Sequence, residues 1–177
     1  MLYYGIVQIP RFIGVFFAPL CILIKWHYLC NIDFYFFMPP SGPIIIIEDD
    51  LDDQELIQHA FKEIGVDRKL VFFANAHEAF DFLKATPEQP FLILSDVNLP
   101  GQNGIEFKRQ IDNDPYLRQK STPFVFFSTA VDKKEIDIAY REMTVQGFFP
   151  KGNNYADMKK VLHVIMEYWK ISRHPNR

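Results

Sequence analysis

The chain lacks the features of a disulfide-rich, zinc-binding or fibrous protein. Its 177 residues contain only two cysteines, Cys21 and Cys30, too few for a disulfide framework, and no Cys-x-x-Cys pair or Cys/His cluster that could hold zinc. The formal net charge of −3 provides no general attraction to nucleic acid or to an anionic membrane surface. Glycine and proline show no periodicity, and 49% apolar with 23% charged residues is typical of a globular protein. The length predicts one domain.

Charged residues are nearly absent from the first 43 positions, where only Arg11, Lys25 and Asp33 carry charge. The longest uncharged apolar run, residues 12–24, would rise about 20 Å as a helix, less than the roughly 30 Å of a bilayer core. The basic start and the cleavage site of a signal peptide are both missing. We therefore predict that residues 1–42 are an apolar extension outside the working fold, with Met38 as a possible true start. A membrane anchor is the disfavoured alternative.

From residue 44 onward, short apolar runs alternate with amphipathic segments. The runs predict strands at residues 44–47, 70–73, 91–94, 124–127 and 148–149. The first is all isoleucine, as expected of a strand that is buried on both faces of a parallel sheet. Apolar residues at helical spacing predict five helices, one after each strand. Five strands alternating with five helices predict a three-layer α/β sandwich with right-handed crossovers.

Polar side chains follow four of these five strands, at the point where each strand ends. They are Glu48, Asp49 and Asp50 after the first, Asp96 after the third, Ser128 and Thr129 after the fourth, and Lys151 after the fifth. The carboxyl ends of parallel strands form one ligand-binding edge, so we expect these side chains to share a crevice. Clustered carboxylates favour a cation such as Mg²⁺. A carboxylate can also be the nucleophile in phosphoryl transfer, so the sequence predicts a site of that kind.

Each residue also has a simpler interpretation. Acidic residues after a strand often cap the next helix, and we expect that of Asp50, Asp52 and Asp53. Asp96 could belong to the turn formed by the following Leu-Pro-Gly, and Ser128 with its neighbour could cap a helix. The coincidence of polar residues at four strand ends favours the site.

With these motifs, the chain resembles the receiver domain of the response regulators of two-component signalling. The family's phospho-acceptor segment is similar to residues 93–104, which read ILSDVNLPGQNG. Residues 44–49, 124–129 and 148–151 match the other motifs in order and spacing. The resemblance covers residues 43–170 and implies a flavodoxin-like parallel sheet of order 2-1-3-4-5, with residues 171–177 as a C-terminal tail. It is greatest to single-domain, chemotaxis-regulator-like receivers, and the long segment 112–122 is similar to that of phytochrome-partner receivers.

The resemblance implies a role for each residue of the acceptor site. Asp96 would be phosphorylated. Mg²⁺ would be bound directly by Asp49, through water by Glu48, and by Asp96 together with the backbone carbonyl of Asn98. Lys151 would pair with the phosphoryl group.

Two further residues are implied as the switch. Ser128, rather than Thr129, would be the hydroxyl that moves to the phosphate, and Phe148 would be the aromatic residue that follows it. The surface affected would comprise the fourth helix, fifth strand and fifth helix. Gly152 departs from the family pattern, which commonly has proline after the lysine, so we predict a trans peptide and a less firmly placed Lys151.

The resemblance also implies partners. A histidine kinase or a phosphotransfer protein would donate the phosphoryl group to a cytoplasmic protein that catalyses only its own phosphorylation and dephosphorylation. The absence of a sequence for an output domain after Arg177 predicts readout through a downstream protein target or onward phosphotransfer, without nucleic acid. A non-phosphorylated pseudo-receiver that binds proteins is an alternative. A haloacid-dehalogenase-type phosphatase is disfavoured, because that class has a second aspartate two residues after its nucleophile, where this chain has Asn98.

Overall fold

The structure is a computed structural model that describes residues 42–129 and 132–175. The predicted apolar extension therefore lies outside the described residues, apart from Gly42. Within the part of the chain that is described, no helix is both long enough and apolar enough to span a bilayer.

In the described part of the chain, five short strands form one parallel sheet. They are β1 (Ile44–Ile47), β2 (Leu70–Phe73), β3 (Leu92–Ser95), β4 (Phe124–Ser128) and β5 (Gly147–Pro150). Their order is β2-β1-β3-β4-β5, which confirms the predicted topology. In register, Ile47 of β1 lies beside Phe73 of β2 and Ser95 of β3. These strands therefore end at the same level, and the residues that follow them meet at one edge of the sheet.

Within residues 42–129 and 132–175, six helices connect and cover the strands, one more than the sequence predicted. They are α1 (Leu51–Glu63), α2 (Ala76–Ala85), α3 (Gly104–Asn113), α4 (Pro115–Lys120), α5 (Lys133–Glu142) and α6 (Tyr155–Ile171). The additional helix is α4, a short element within the long segment after α3. It forms because Pro115 suits the first helical turn and the Asp114 carboxylate accepts the backbone N–H groups of Tyr116 and Leu117.

The core has two halves, one on each face of the sheet. Ile44 and Ile46 of β1 pack in the half that contains Phe61 of α1 and Leu162 of α6. Ile45 and Ile47 pack in the other half, with residues of α2 and α3. Because successive side chains of a strand point to opposite faces, the uninterrupted isoleucine run supplies both halves. The three-layer α/β prediction is confirmed.

The chain remains packed against the domain after α6. His174 is buried, its ring stacks on Phe91 with 4.9 Å between centroids, and its Nε2 lies 2.7 Å from the Phe91 carbonyl oxygen. Because a carbonyl only accepts hydrogen bonds, Nε2 carries the hydrogen. The segment predicted as a tail thus begins inside α6 and contributes one side chain to the core.

Candidate functional site

Asp96 directly follows β3 at the carboxyl edge of the sheet. Its backbone N–H donates to the carbonyl of Ile47 at 2.9 Å, which extends the β1–β3 pairing by one residue. The residue is only 6% exposed, and its Oδ1 accepts the backbone N–H groups of Val97 at 2.5 Å and Asn98 at 3.1 Å. The two backbone N–H groups of the turn after β3 therefore fix the position of Oδ1 of Asp96.

Two side chains from the neighbouring strands bind the same carboxylate. Ser128, at the end of β4, donates from Oγ to Oδ1 of Asp96 at 2.5 Å, and Lys151, just after β5, donates from Nζ to Oδ2 at 2.9 Å. Burial raises the pKa of Asp96, but the hydrogen bonds from Ser128 and Lys151 outweigh it and leave the pKa below its ordinary value. Asp96 is therefore ionised at neutral pH, the form that a nucleophile requires.

Lys151 lies at the centre of a cluster of carboxylates. Its side chain is 2% exposed, and its Nζ lies 2.5 Å from Glu48, 2.7 Å from Asp53 and 2.9 Å from Asp96. Burial lowers the pKa of Lys151, but the hydrogen bonds with Asp53 and Glu48 dominate and raise it. Burial raises the pKa of Glu48 to about 7. Three carboxylates thus face one ammonium, an arrangement that favours a further cation.

The donors present fit a magnesium ion. Glu48 and Asp96 are buried and both contact the Lys151 ammonium. Asp49, the residue after Glu48, is exposed, and Asn98 lies two positions after Asp96. Carboxylate and carbonyl oxygens are the ligands that Mg²⁺ takes, together with water. Among residues 42–129 and 132–175, no three acidic, histidine or cysteine side chains are already arranged around a common metal position. Glu48 and Asp96 contact the Lys151 ammonium instead, so a metal ion at this edge would either share these carboxylates with the ammonium or displace it.

Gly152 accounts for the loop after Lys151. Its φ is +86°, and an added Cβ would lie 2.6 Å from Cβ of Asp157, so glycine suits both the conformation and the space. No cis peptide bond occurs in the described part of the chain, as predicted for this loop. Three carboxylates contact the buried Lys151 ammonium, and the expectation that the absence of proline places Lys151 less firmly stays a prediction.

The acidic residues of α1 divide between capping and the site. Asp50 is the helix cap, as predicted, and accepts the backbone N–H groups of Asp52 at 2.8 Å and Asp53 at 3.3 Å. The Asp53 side chain, expected to be another cap, instead contacts Lys151. No sequence pattern links Asp53 to Lys151, because the two residues are 98 positions apart and meet only where the first turn of α1 faces the loop after β5.

The two predicted switch residues occupy adjacent strands. Ser128 is buried against Asp96, whereas Thr129 is exposed, and the cap of α5 is Asp132 rather than either of them. Phe148 in β5 is half-buried and stacks on Phe126 of β4, with 4.9 Å between ring centroids. Ser128 and Phe148 therefore both belong to the β4–β5 side of the site.

Gly104 allows the start of α3 to pack closely against the backbone of Asp96 and Val97. Its N–H donates to the carbonyl of Val97 at 2.8 Å, and a Cβ added there would lie 2.2 Å from the backbone oxygen of Asp96. A backbone oxygen cannot rotate away as a side chain can. The first residue of α3 must therefore be glycine for the Asp96 turn to keep its shape.

We expect Gly104→Ala to lower the free energy of unfolding by about 3 kcal/mol, the upper end of the cost of overpacking. Gly101→Ala is the matched control in the same loop, since its φ is +79° but no atom lies within 4 Å of the added Cβ. It should cost only about 1 kcal/mol, for backbone strain. Urea denaturation of both variants measures the difference, and equal losses would contradict the steric explanation.

Sheet order, a buried ionised aspartate after the third strand and a lysine after the fifth define a class of signalling domain. The family model described as the response regulator receiver domain matches residues 44–163. The chain belongs to this family, whose members are phospho-acceptors of two-component systems, bind Mg²⁺ and interact with histidine kinases and downstream targets.

Individual relatives agree with this assignment. Response regulator Rcp1 of Synechocystis sp. is 30% identical over 135 residues, which is 73% of this chain and 90% of that protein. The structure of the phosphorylated cyanobacterial phytochrome response regulator RcpA has a TM-score of 0.68 at 29% identity, covering 76% of this chain and 99% of that one. The Mn²⁺-bound form of Rcp1 has a TM-score of 0.65 at 28% identity, covering 75% and 96%.

Proposed function

We propose that this receiver domain accepts a phosphoryl group on Asp96, with Mg²⁺, from a histidine kinase or a phosphotransfer protein. The observation that carries the proposal is the environment of Asp96. It is a buried, ionised carboxylate whose oxygens are held by Ser128 and Lys151, beside the acidic pair Glu48 and Asp49. We further propose that residues 43–170 are the receiver domain and that residues 1–42 lie outside it.

The transfer is a displacement at phosphorus. An Asp96 oxygen attacks the phosphorus of a phosphohistidine, a P–O bond forms, the P–N bond breaks, and the electron pair returns to the imidazole nitrogen, which is protonated by solvent. Lys151 pairs with the incoming phosphoryl oxygens through the ammonium that now contacts Oδ2. A magnesium ion held by Glu48, Asp49, Asp96 and the Asn98 carbonyl would neutralise charge on the same oxygens.

Phosphorylation would then change a protein-interaction surface. The phosphoryl group brings close to two negative charges and new acceptor oxygens, which attract the Ser128 hydroxyl now bound to Asp96. Movement of Ser128 opens space along β4, and Phe148 in the adjacent strand turns inward to fill it. The surface affected comprises α5, β5 and α6, which are the fourth predicted helix, the fifth strand and the fifth predicted helix. It includes the exposed Tyr140. A downstream protein target or a further phosphotransfer protein would read this change.

The direct test is phosphorylation of the full chain by acetyl phosphate, with Mg²⁺ and with excess chelator. We expect the intact mass to increase by one phosphoryl group only in the presence of Mg²⁺, and hydroxylamine to remove the addition, as it cleaves an acyl phosphate. A folded protein that gains no phosphoryl group under these conditions would contradict the proposal and would favour the pseudo-receiver.

A further inference from the structure

We propose that Asp53 is a positioning residue for Lys151, and that it keeps the ammonium in place while the other carboxylates engage metal and phosphoryl group. This inference rests on the proposed function of Asp96 and deepens it. The carboxylate of Asp53 lies 2.7 Å from Nζ of Lys151, closer than that of Asp96 at 2.9 Å. The contact joins the first turn of α1 to the residue after β5.

The three carboxylates around Lys151 differ in whether they can keep their contact with the ammonium during the reaction. An ammonium has three hydrogens to donate, and here they face Glu48, Asp53 and Asp96. Glu48 and Asp96 are the two that metal binding would draw away, and Asp96 is also the one that phosphorylation would convert into an acyl phosphate. Asp53 has neither role, so its bond to Lys151 is the one that can persist throughout.

A persistent partner matters because of the chemistry of lysine. The ammonium is a compact, strongly hydrated charge at the end of four flexible carbons, and here it is buried. If its remaining acceptors turned away, the side chain would lose the single position from which it can reach the phosphoryl oxygens. Holding a reacting group in place lowers the barrier, because its ordering is completed before the transition state. Asp53 is anchored for this task by α1 and is partly accessible, with 25% of its side chain exposed.

The chain offers a closely matched control in the neighbouring residue. Asp52 lies in the same first turn of α1 and is exposed, and its backbone N–H bonds to the Asp50 cap as that of Asp53 does. Asp53→Ala and Asp52→Ala therefore remove the same charge from the same helical turn. Only Asp53→Ala removes the contact with Lys151.

The experiment measures the rate of phosphorylation by saturating acetyl phosphate, together with the Mg²⁺ concentration that gives half of that rate. We expect Asp53→Ala to lower the saturating rate on the order of 10-fold, a modest loss for a mispositioned group. Asp52→Ala should keep the wild-type rate, and Asp53→Ala should keep its lower rate at saturating Mg²⁺, so that weaker metal binding does not account for the loss. Asp53→Asn, which keeps an oxygen acceptor, should fall between Asp53→Ala and wild type. Equal saturating rates for the two alanine variants, or a faster rate for Asp53→Ala, would overturn the proposal.

A second readout needs neither metal nor phosphorylation. In protein labelled with ¹⁵N-lysine, the Lys151 ammonium should exchange its hydrogens with water slowly because it is buried and bonded to three carboxylates. We expect Asp53→Ala to accelerate this exchange several-fold, whereas Asp52→Ala leaves it unchanged. No difference between these variants would show that Asp53 does not hold the ammonium. If wild type were not phosphorylated, the proposed function would fail, but this readout would still decide whether the contact exists.

Discussion

Asp96→Asn is expected to abolish phosphorylation by acetyl phosphate while leaving the protein folded. The amide oxygen can still accept the N–H groups of Val97 and Asn98 and the Ser128 hydroxyl, so the turn after β3 keeps its shape. An amide has no anionic oxygen to attack phosphorus, so no acyl phosphate forms. Intact mass after incubation with Mg²⁺ and acetyl phosphate measures the loss, and circular dichroism confirms the fold.

The same substitution should have a small effect on stability in the absence of metal. Three carboxylates face Lys151, so the removal of one negative charge relieves repulsion among them. The amide nitrogen takes the place of Oδ2, however, and the hydrogen bond from Lys151 is lost. We expect the two effects to offset to within about 1 kcal/mol of unfolding free energy, and Mg²⁺ to stabilise the variant less than wild type.

Asp49→Asn is the control that separates an acceptor from a metal ligand. Asp49 is exposed at the same edge, and its loss should raise the Mg²⁺ concentration required while Asp96 remains able to accept the group. Phosphorylation that persists in Asp96→Asn would identify another residue of the crevice as the acceptor. Phosphorylation that disappears from both variants even at high Mg²⁺ would leave the acceptor unassigned.

The sequence predicted the sheet well because the strands are short and its three central strands, β1, β3 and β4, are buried on both faces. Such strands read as uninterrupted apolar runs, and the isoleucines of β1 are the clearest case. The short helix α4 was missed because its single buried residue, Leu117, provides no apolar period to recognise. Its signal was local instead, an aspartate followed by proline.

For the site, the positions of residues after the predicted strands identified which side chains lie at the carboxyl edge of the sheet, but not which of these side chains contact each other. The carboxyl ends of parallel strands meet at one edge of the sheet, so the topology alone predicted that Asp96, Ser128 and Lys151 lie close together. The contact between Asp53 and Lys151 depends on the direction in which the first turn of α1 faces the loop after β5, a tertiary property. Burial of His174 against Phe91 likewise depends on where the chain turns after α6.

Lys151→Met is expected to be the most destabilising substitution in the site. The change keeps most of the side-chain volume but leaves Glu48 and Asp96 buried, and Asp53 partly buried, without a counter-charge. Removal of one partner from a buried ionic cluster costs about 3–5 kcal/mol of unfolding free energy, and we expect a loss in that range at pH 7.5 without metal. Urea denaturation measures it.

Two conditions should restore part of this loss, and both follow from the charge. Mg²⁺ should stabilise Lys151→Met more than wild type, because it supplies the missing positive charge without having to displace the ammonium.

Acid should also increase the stability of Lys151→Met. Burial already raises the pKa of Glu48 from 4.5 to about 7, so this carboxyl group binds its proton more tightly in the folded protein than in the unfolded chain, and its contribution to stability falls as pH rises through that window. Without Lys151 the carboxylates hold protons more tightly still, so the variant should regain stability as pH is lowered from 7.5 to 5.5.

The matched control is Lys108→Met, at the other buried lysine of the described chain. The Lys108 side chain is 3% exposed, and its Nζ contacts one carboxylate, that of Asp112, at 2.8 Å. That carboxylate keeps the backbone N–H and hydroxyl of Thr144 as donors when the lysine is removed, and it is closer to solvent, with 17% exposed. We therefore expect Lys108→Met to cost less, about 1–2 kcal/mol, with no recovery on addition of Mg²⁺. If both methionine variants lost the same stability and Mg²⁺ rescued neither, the loss in Lys151→Met would reflect a buried lysine in general. Rescue of Lys151→Met alone would show that the three carboxylates left without Lys151 bind a cation. The proposed function requires a cation at this same edge of the sheet.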